Sequence, residues 1–271
     1  MERRSNEGPD RRARPAADRG SRAGGGRGAG RVPLERALSK LGLASRSVAR
    51  RLIGEGRVMV DGRPATDALA PVIPERIAIA IDGVPVQPGG APSATITLHK
   101  PRGAVTTRAD PQGRPTVYSC LGELGIHLVP VGRLDAATTG LLLLTNDTRF
   151  ADWVTDPANG VPRVYLATVR GHVAPAVARQ LEAGIVERGE RLAARAVVVR
   201  KSSRRESHLV IELAEGKNRE VRRLLAAAGH EVTRLKRVSF GGLALGDLAP
   251  GSWRLVPPEE LQTAFPGAPL R

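Results

Sequence analysis

Residues 132–141, with the sequence GRLDAATTGL, combine residue types that could do chemistry. Arg133 and Asp135 fall in a predicted loop that comes directly before an apolar strand. Loops at strand ends often carry catalytic side chains, because a rigid scaffold positions them. A charged loop pair can equally be a structural turn with a local Arg–Asp contact, so the residue types alone leave both interpretations open.

A basic segment lies further along the chain, at residues 215–225, with the sequence EGKNREVRRLL. A predicted strand ends at Leu213, a glycine turns the chain, and a helix begins. Backbone N–H groups at a helix start favour anions. Arg219, Arg222 and Arg223 are spaced to cluster on one side of this helix. The segment is therefore either an anion-binding site or an ordinary basic surface helix.

The charge balance favours an acidic partner. The chain of 271 residues carries a formal net charge of +15, from 42 lysines and arginines against 27 acidic residues. A polyphosphate such as RNA is the leading candidate. A basic protein of the membrane surface is the alternative, but no strongly basic helix with a broad apolar face supports it. The densest apolar run, residues 141–144, is far too short to span a membrane.

Two further features predict a cytoplasmic location. The N-terminal segment has no apolar signal core, which disfavours secretion. Cys120 is the single cysteine, so neither an internal disulfide nor a cysteine-based zinc cluster is possible, and a reducing compartment fits.

The N-terminal third divides into a tail and a small folded unit. Residues 1–31 are rich in Gly, Arg, Pro and Ala, so we expect a disordered tail with only a non-specific attraction to RNA. Residues 32–86 predict two helices and a short sheet. Gly42 ends the first helix and Ser45 caps the second. Each of two strands is followed by an Asp–Gly turn.

This small unit carries one candidate RNA-binding surface. Arg46 and Arg50 are four residues apart and share a helical face. Acidic residues are scarce nearby, and a face of one sign suits phosphate binding. A solvated helix face is the alternative. The candidate contacts of this unit are Arg36, Lys40, Arg46, Arg50, Arg51 and Arg57.

A linker rich in Gly and Pro, residues 87–93, separates this unit from a larger domain at residues 94–271. The predicted strands of the larger domain are residues 94–98, 141–145, 164–169, 196–199 and 209–213, and its predicted helices are 173–183 and 218–228. The order has no regular strand–helix repeat. We therefore expect an α+β fold with a mixed, mostly antiparallel sheet.

Three motifs in order resemble a known family. They are KPRG at residues 100–103, GRLDAATTGLLLLTND from residue 132, and EGKNREVRRLLAAAGHEV from residue 215. The chain from about Val32 to Leu255 resembles the bacterial ribosomal RNA pseudouridine synthases of the small-subunit and large-subunit type. Residues 32–86 look like the S4-type RNA-binding domain that accompanies these enzymes. Two runs, in the first predicted helices and after residue 137, look most like the large-subunit enzyme, pseudouridine synthase B.

The resemblance implies a role for particular residues. Asp135 would be the nucleophile, Arg222 would pair with it inside the pocket, and Tyr165 would lie against the target base. The candidate RNA contacts of the larger domain are Lys100, Arg102, Arg133, Lys217, Asn218, Arg219 and Arg223. Two positions depart from the family pattern. Arg163 stands where a lysine is common, and Glu220 stands where many relatives have glutamine.

The implied reaction is the isomerisation of one uridine to pseudouridine in ribosomal RNA, without a metal or other cofactor. The implied substrate is 23S ribosomal RNA, at a structured stem-loop whose target base flips out of its stack. Attack of Asp135 on the ribose, attack on the uracil ring and a glycal route all stay open. We expect a monomer with no membrane partner. The alternatives are a 16S ribosomal RNA enzyme and a non-catalytic RNA-binding factor of ribosome assembly.

Overall fold

The computed structural model describes residues 30–86, 93–122, 124 and 127–270. Residues 31–271 form one compact unit by their contacts. The predicted tail (1–31) and the predicted linker (87–93) fall almost entirely outside the described residues.

The small N-terminal unit contains two helices packed on short strands. Its elements are β1 (Val32–Pro33), α1 (Leu34–Lys40), α2 (Arg46–Gly54), β2 (Val58–Val60), β3 (Arg63–Pro64), β4 (Pro71–Val72), β5 (Ile79–Ile81) and β6 (Val84–Val86). Gly42, at φ 74°, follows the first helix. Ser45 caps α2 by accepting a hydrogen bond from the Val48 N–H. Both Asp–Gly pairs form tight hairpin turns with positive φ at each residue, as their composition predicts.

The larger domain is built on a nine-stranded sheet, and helices pack into the two hydrophobic clusters on its opposite faces. Its elements are β7 (Thr95–Lys100), β8 (Val129–Pro130), β9 (Thr139–Thr145), α3 (Thr148–Thr155), β10 (Arg163–Arg170), α4 (Pro175–Ala183), β11 (Ile185–Glu187), β12 (Glu190–Leu192), β13 (Ala196–Ser202), β14 (Glu206–Leu213), α5 (Glu220–Ala227), β15 (Val232–Phe240), β16 (Leu243–Ala244), β17 (Trp253–Leu255) and α6 (Pro258–Ala264). The main strand order is β13-β14-β10-β15-β9-β7-β17.

The pairing confirms the predicted mixed, mostly antiparallel α+β fold. Neighbouring strands are antiparallel except β15 and β9, which run parallel. The leucines of β9 divide between two cores. Leu142 and Leu144 join the cluster on one face, and Leu141 and Leu143 join the cluster on the other. Because β9 is covered on both faces, its sequence is a continuous apolar run rather than an alternation.

Most element bounds differ from the sequence prediction by a few residues, and three of the differences have a local reason. Helix α4 begins at Pro175, since proline fits the first helical turn, where its missing N–H is not needed. Helix α5 begins at Glu220, because Arg219 adopts a left-handed conformation (φ 49°, ψ 32°). Strand β5, predicted at residues 77–81, begins at Ile79, because residues Pro74–Arg76 form a 3₁₀ turn before it.

Gly140 lies where β9 meets β15 and tolerates no side chain. Its φ is 107°, and an added Cβ would overlap the Arg237 carbonyl oxygen and lie 2.7 Å from the Arg237 nitrogen. We therefore expect Gly140→Ala to lower the free energy of unfolding by about 3 kcal/mol or more. Gly54→Ala is the control, since nothing lies within 4 Å of the added methyl group in α2. Denaturant unfolding that shows equal stability for both variants would contradict this account.

Candidate active site

A pocket of about 140 Å³ opens between the loop before β9, the sheet and the start of α5. Its polar lining includes Asp135, Arg163, Tyr165, Arg219, Glu220 and Arg222. The three residues predicted to be catalytic are thus brought together from separate parts of the chain. Asp135 comes from the loop, Tyr165 from β10 and Arg222 from α5.

The loop that carries Asp135 is held by the KPRG segment and its neighbour Thr106. The Lys100 ammonium donates to the Thr138 carbonyl at 2.9 Å, and the Gly103 N–H donates to the Ala136 carbonyl at 2.7 Å. The Thr106 hydroxyl donates to the Leu134 carbonyl at 2.8 Å. These bonds fix the backbone on both sides of Asp135. The KPRG segment therefore holds the loop of the GRLD motif in place.

Lys100 was predicted to contact RNA, and the structure instead buries its side chain fully. Besides Thr138, its ammonium donates to the Pro101 carbonyl at 3.0 Å. Burial lowers the pKa of Lys100 to about 8, and the charge of Asp135 opposes that shift. Lys100 is thus a structural support of the loop that carries Asp135. A lysine at the end of a strand of buried residues was the sequence signal for this role.

Two arginines approach the same carboxylate oxygen of Asp135. Arg219 Nη1 lies 3.3 Å from Oδ2, and Arg222 Nε lies 3.8 Å from it. The exposed fractions of the side chains are 31% for Asp135, 53% for Arg219 and 15% for Arg222. The predicted pair of Asp135 and Arg222 is therefore present as an ion pair, and Arg219 is a nearer partner that the sequence did not single out.

Arg222 is held firmly by the backbone. Its Nη1 donates to the Val232 carbonyl at 3.2 Å, and its Nη2 donates to the Ala137 carbonyl at 3.3 Å. Its Nε is buried and has no hydrogen-bond partner among the described residues. Burial, followed by the charge of Arg219, lowers the pKa of Arg222, and Asp135 opposes the shift. An arginine nevertheless stays protonated.

Tyr165 is a buried residue at the wall of the pocket. The pairing of β10 with β15 shifts register between Val164 and Tyr165. Such an irregularity re-aims a side chain locally. Its ring belongs to the large core cluster, and it still lines the pocket that contains Asp135. This position suits an aromatic face packed against a flat, base-sized ligand.

Comparisons with known proteins show what this chain is similar to. Residues 94–227 match the family model described as RNA pseudouridylate synthase, and residues 32–72 match the S4 domain. An uncharacterized RNA pseudouridine synthase of Mycobacterium leprae is 38% identical over 88% of this chain and 94% of its own length. The chain belongs to the RNA pseudouridine synthase family.

Two more relatives support that assignment. The ribosomal large subunit pseudouridine synthase B of Bacillus subtilis is 34% identical over 84% of this chain and 93% of its own length. A solved structure described as a pseudouridylate synthase superposes with a TM-score of 0.59 at 25% identity, covering 85% of this chain and 98% of that one.

Both departures from the family pattern have structural partners in this pseudouridine synthase. The buried guanidinium of Arg163 donates to the carbonyls of Val161, Ala214 and Val154 at 2.8–3.0 Å. It also stacks 4.9 Å from the centre of the Phe240 ring. A planar fork can serve these separate acceptors, whereas one ammonium group offers a different geometry.

The carboxyl of the buried Glu220 accepts a hydrogen bond from the Lys217 N–H at 3.1 Å. This contact ties the start of α5 to the preceding turn, and a glutamine could make it as well. Burial raises the pKa of Glu220, and the bond from Lys217 partly opposes the shift.

The prediction of a face of one sign on the S4 domain is wrong. Glu35 is buried beneath this face and accepts hydrogen bonds from both Arg46 and Arg50. These bonds, from Arg50 and then Arg46, lower the pKa of Glu35 to about 2. Arg57 similarly pairs with Asp82 at 2.6 Å. The guanidinium groups of Arg46 and Arg50 remain well exposed, so the face keeps a net positive charge.

Arg223 was predicted to contact RNA, and it is instead engaged inside the protein. Its guanidinium lies 2.6 Å from Glu187 and 2.8 Å from Glu190, which ties α5 to the β11–β12 hairpin. Lys217 is half-buried and pairs with Glu215 at 2.8 Å. The predicted contacts that stay exposed are Arg36, Arg46, Arg50, Arg51, Arg57, Arg102, Arg133, Asn218 and Arg219.

The described residues contain no cluster of His, Cys, Asp and Glu that could hold a metal ion. Among the same residues, no helix is long and apolar enough to cross a membrane.

Proposed function

We propose that this protein isomerises a uridine of 23S ribosomal RNA to pseudouridine, with Asp135 as the nucleophile. The observation that carries the proposal is the pocket in which Asp135 faces Arg219 and Arg222 beside the ring of Tyr165. The preference for 23S RNA rests on the relatives named ribosomal large subunit pseudouridine synthase B.

The proposed isomerisation moves one glycosidic bond and one proton. The bond from C1′ of the ribose to N1 of uracil breaks, a bond from C1′ to C5 forms, and the proton of C5 is lost while N1 gains one. The carboxylate is the nucleophilic form of Asp135, and two adjacent guanidinium groups stabilise it. Tyr165 lines the pocket. We assign its ring to stacking on the base and its hydroxyl to relaying the C5 proton, which means that it releases its own proton to water as it takes the one from C5. Attack on the ribose, attack on the ring and a glycal route are all compatible with this arrangement.

On this proposal the enzyme works on ribosomal RNA in the cytoplasm. As part of the same proposal, it works as a monomer. The target base must leave its stack to enter a recessed pocket, so a nucleotide of a stem-loop is the least costly target.

The deciding experiment is a map of pseudouridine in 23S and 16S ribosomal RNA from cells that lack this protein. We expect one or a few sites in 23S RNA to lose the modification and regain it with the wild-type protein. Loss confined to 16S RNA would reassign the substrate. An unchanged map in both RNAs would favour a non-catalytic role in ribosome assembly.

The exposed arginines of the S4 domain lead to a separate prediction. We expect the double variant Arg46→Gln, Arg50→Gln to bind RNA more weakly and to lower the slope of log affinity against log salt by about 1–2 units. Arg254→Gln is the control, because this arginine pairs with Glu260 and lines neither the active-site pocket nor the cavity beside it. Titration of a stem-loop RNA at several salt concentrations measures both effects, and an unchanged slope in the double variant would exclude phosphate binding by this face.

A further inference from the structure

Arg219 and Arg222 differ in how freely each can leave Asp135. The guanidinium of Arg222 donates hydrogen bonds to two backbone carbonyls, and the side chain is largely buried. Arg219 is mostly exposed, and Asp135 is the single hydrogen-bond partner of its side chain within the described part of the chain. Arg219 can therefore move with little structural cost, whereas Arg222 cannot.

The backbone places Arg219 at the junction of two cavities. It precedes α5 in a left-handed conformation, which is uncommon for a bulky residue and is favoured mainly where the surrounding structure imposes it. A groove of about 480 Å³ adjoins the active-site pocket, and Arg219, Arg133 and Lys217 line both. Arg114 lines the groove but not the pocket, and it pairs with Asp110 at 2.7 Å.

The groove suits the backbone of an RNA whose target base occupies the pocket. Its cationic lining offers partners for phosphates next to the flipped nucleotide. A guanidinium and a phosphate form a strong, often bidentate hydrogen-bonded pair. Such a phosphate would compete with Asp135 for Arg219.

Nε of Arg222 is a hydrogen-bond donor still available to Asp135. It is buried without a hydrogen-bond partner and lies 3.8 Å from Asp135 Oδ2. A buried donor without a partner is costly, so a small movement of the carboxylate towards it would be favourable once Arg219 has left. The same carboxylate oxygen thus has a second partner already in place.

We propose that Arg219 is an exchangeable partner of Asp135. Before RNA binds, Arg219 holds the carboxylate. When RNA enters, Arg219 transfers to a phosphate in the groove, and Asp135 closes onto Nε of Arg222. Arg219 is then a positioning residue that couples the nucleophile to the presence of RNA. This inference rests on the proposed function, in which Asp135 acts on an RNA substrate.

The test is a double-mutant cycle in RNA affinity, measured with a uridine-containing stem-loop RNA at several salt concentrations. Asp135→Asn frees Arg219 for phosphate, so we expect the variant to bind RNA about 3- to 10-fold more tightly than the wild type. In the Arg219→Gln background the same substitution should change affinity by less than about 2-fold. An equal gain in both backgrounds would overturn the proposal, because the gain would then come from the lost negative charge alone.

Arg114→Gln provides the matched background. Arg114 lines the same groove but pairs with Asp110, so the gain from Asp135→Asn should persist there. Loss of the gain in both arginine backgrounds would also count against the proposal, since it would show a general effect of groove charge.

The cycle measures binding and needs no turnover. Its outcome is therefore distinguishable from that of the proposed function, which fails separately if Asp135→Asn still makes pseudouridine.

Discussion

Asp135→Asn is expected to lower pseudouridine formation by about 10³-fold or more, because the amide is not a nucleophile and the other pocket groups cannot replace it. The substitution is nearly isosteric. Lys100, Gly103 and Thr106 hold the loop by hydrogen bonds to its backbone carbonyls, and the substitution leaves these bonds in place. Folding should therefore be retained. RNA binding should survive, since most affinity comes from phosphate contacts elsewhere.

Single-turnover assays at saturating RNA separate this effect from a loss of binding. Asp110→Asn is a suitable control, because Asp110 is a carboxylate of the adjoining groove that pairs with Arg114. We expect it to keep most of the turnover. Pseudouridine formation by Asp135→Asn at a rate near that of the wild type would disprove the nucleophile assignment.

Much of the fold is predictable from sequence because its signals are local. The Asp–Gly pairs require positive φ at both positions, and the hairpins follow from that chemistry. The Ser45 cap and the apolar spacing of α1 and α2 are likewise short-range. Strand order is different, since the parallel contact between β9 and β15 joins segments almost a hundred residues apart. No local pattern encodes that contact, although Gly140 marks the place where it occurs.

The sequence predicts which residues form the candidate site, but it does not predict how their side chains pair. Residue types and family resemblance indicate Asp135, Tyr165 and Arg222, and the structure brings all three to one pocket. The nearer position of Arg219 depends on its left-handed backbone, which composition does not indicate for an arginine.

The differences between the predicted and the observed contacts share one physical cause. The sequence shows the charges of Lys100, Arg223 and the arginines above Glu35 without showing their burial or their partners. In the structure, the buried charges of Lys100 and Glu35 are compensated by backbone carbonyls and guanidinium groups. Glu35 did leave a signal, because it directly follows the buried Leu34 and precedes Leu38 by one helical turn. A fully buried glutamate is almost always paired, and Glu35 has two arginine partners.

Arg222→Ala is expected to lower turnover by about 10²-fold or more and to destabilise the protein only modestly. Removing one member of a fully buried ion pair typically costs ~3–5 kcal/mol. Here Asp135 is partly exposed and keeps Arg219 as a partner, so that full penalty does not apply. The lost hydrogen bonds to Val232 and Ala137 should cost about 1–3 kcal/mol together.

Arg222→Lys should retain more activity, because it keeps a positive charge near Asp135. The planar guanidinium of Arg222 contacts the carbonyls of Ala137 and Val232 and the carboxylate of Asp135 at once. A single ammonium group cannot reproduce these three contacts, so full activity is not expected. Catalysis should therefore fall in the order wild type, Arg222→Lys, Arg222→Ala. Rates at saturating RNA and denaturant unfolding distinguish the catalytic effect from the structural one.

Arg223→Ala is the control on the same helix. Its guanidinium binds Glu187 and Glu190 on the β11–β12 hairpin and makes no ion pair with Asp135, so its removal should loosen the hairpin while turnover at saturating RNA changes little. The comparison tests which face of α5 supports Asp135. If turnover falls more in Arg223→Ala than in Arg222→Ala, the arginine on the hairpin side of α5 matters more for catalysis. The assignment of Arg222 as the catalytic partner of Asp135 would then be wrong.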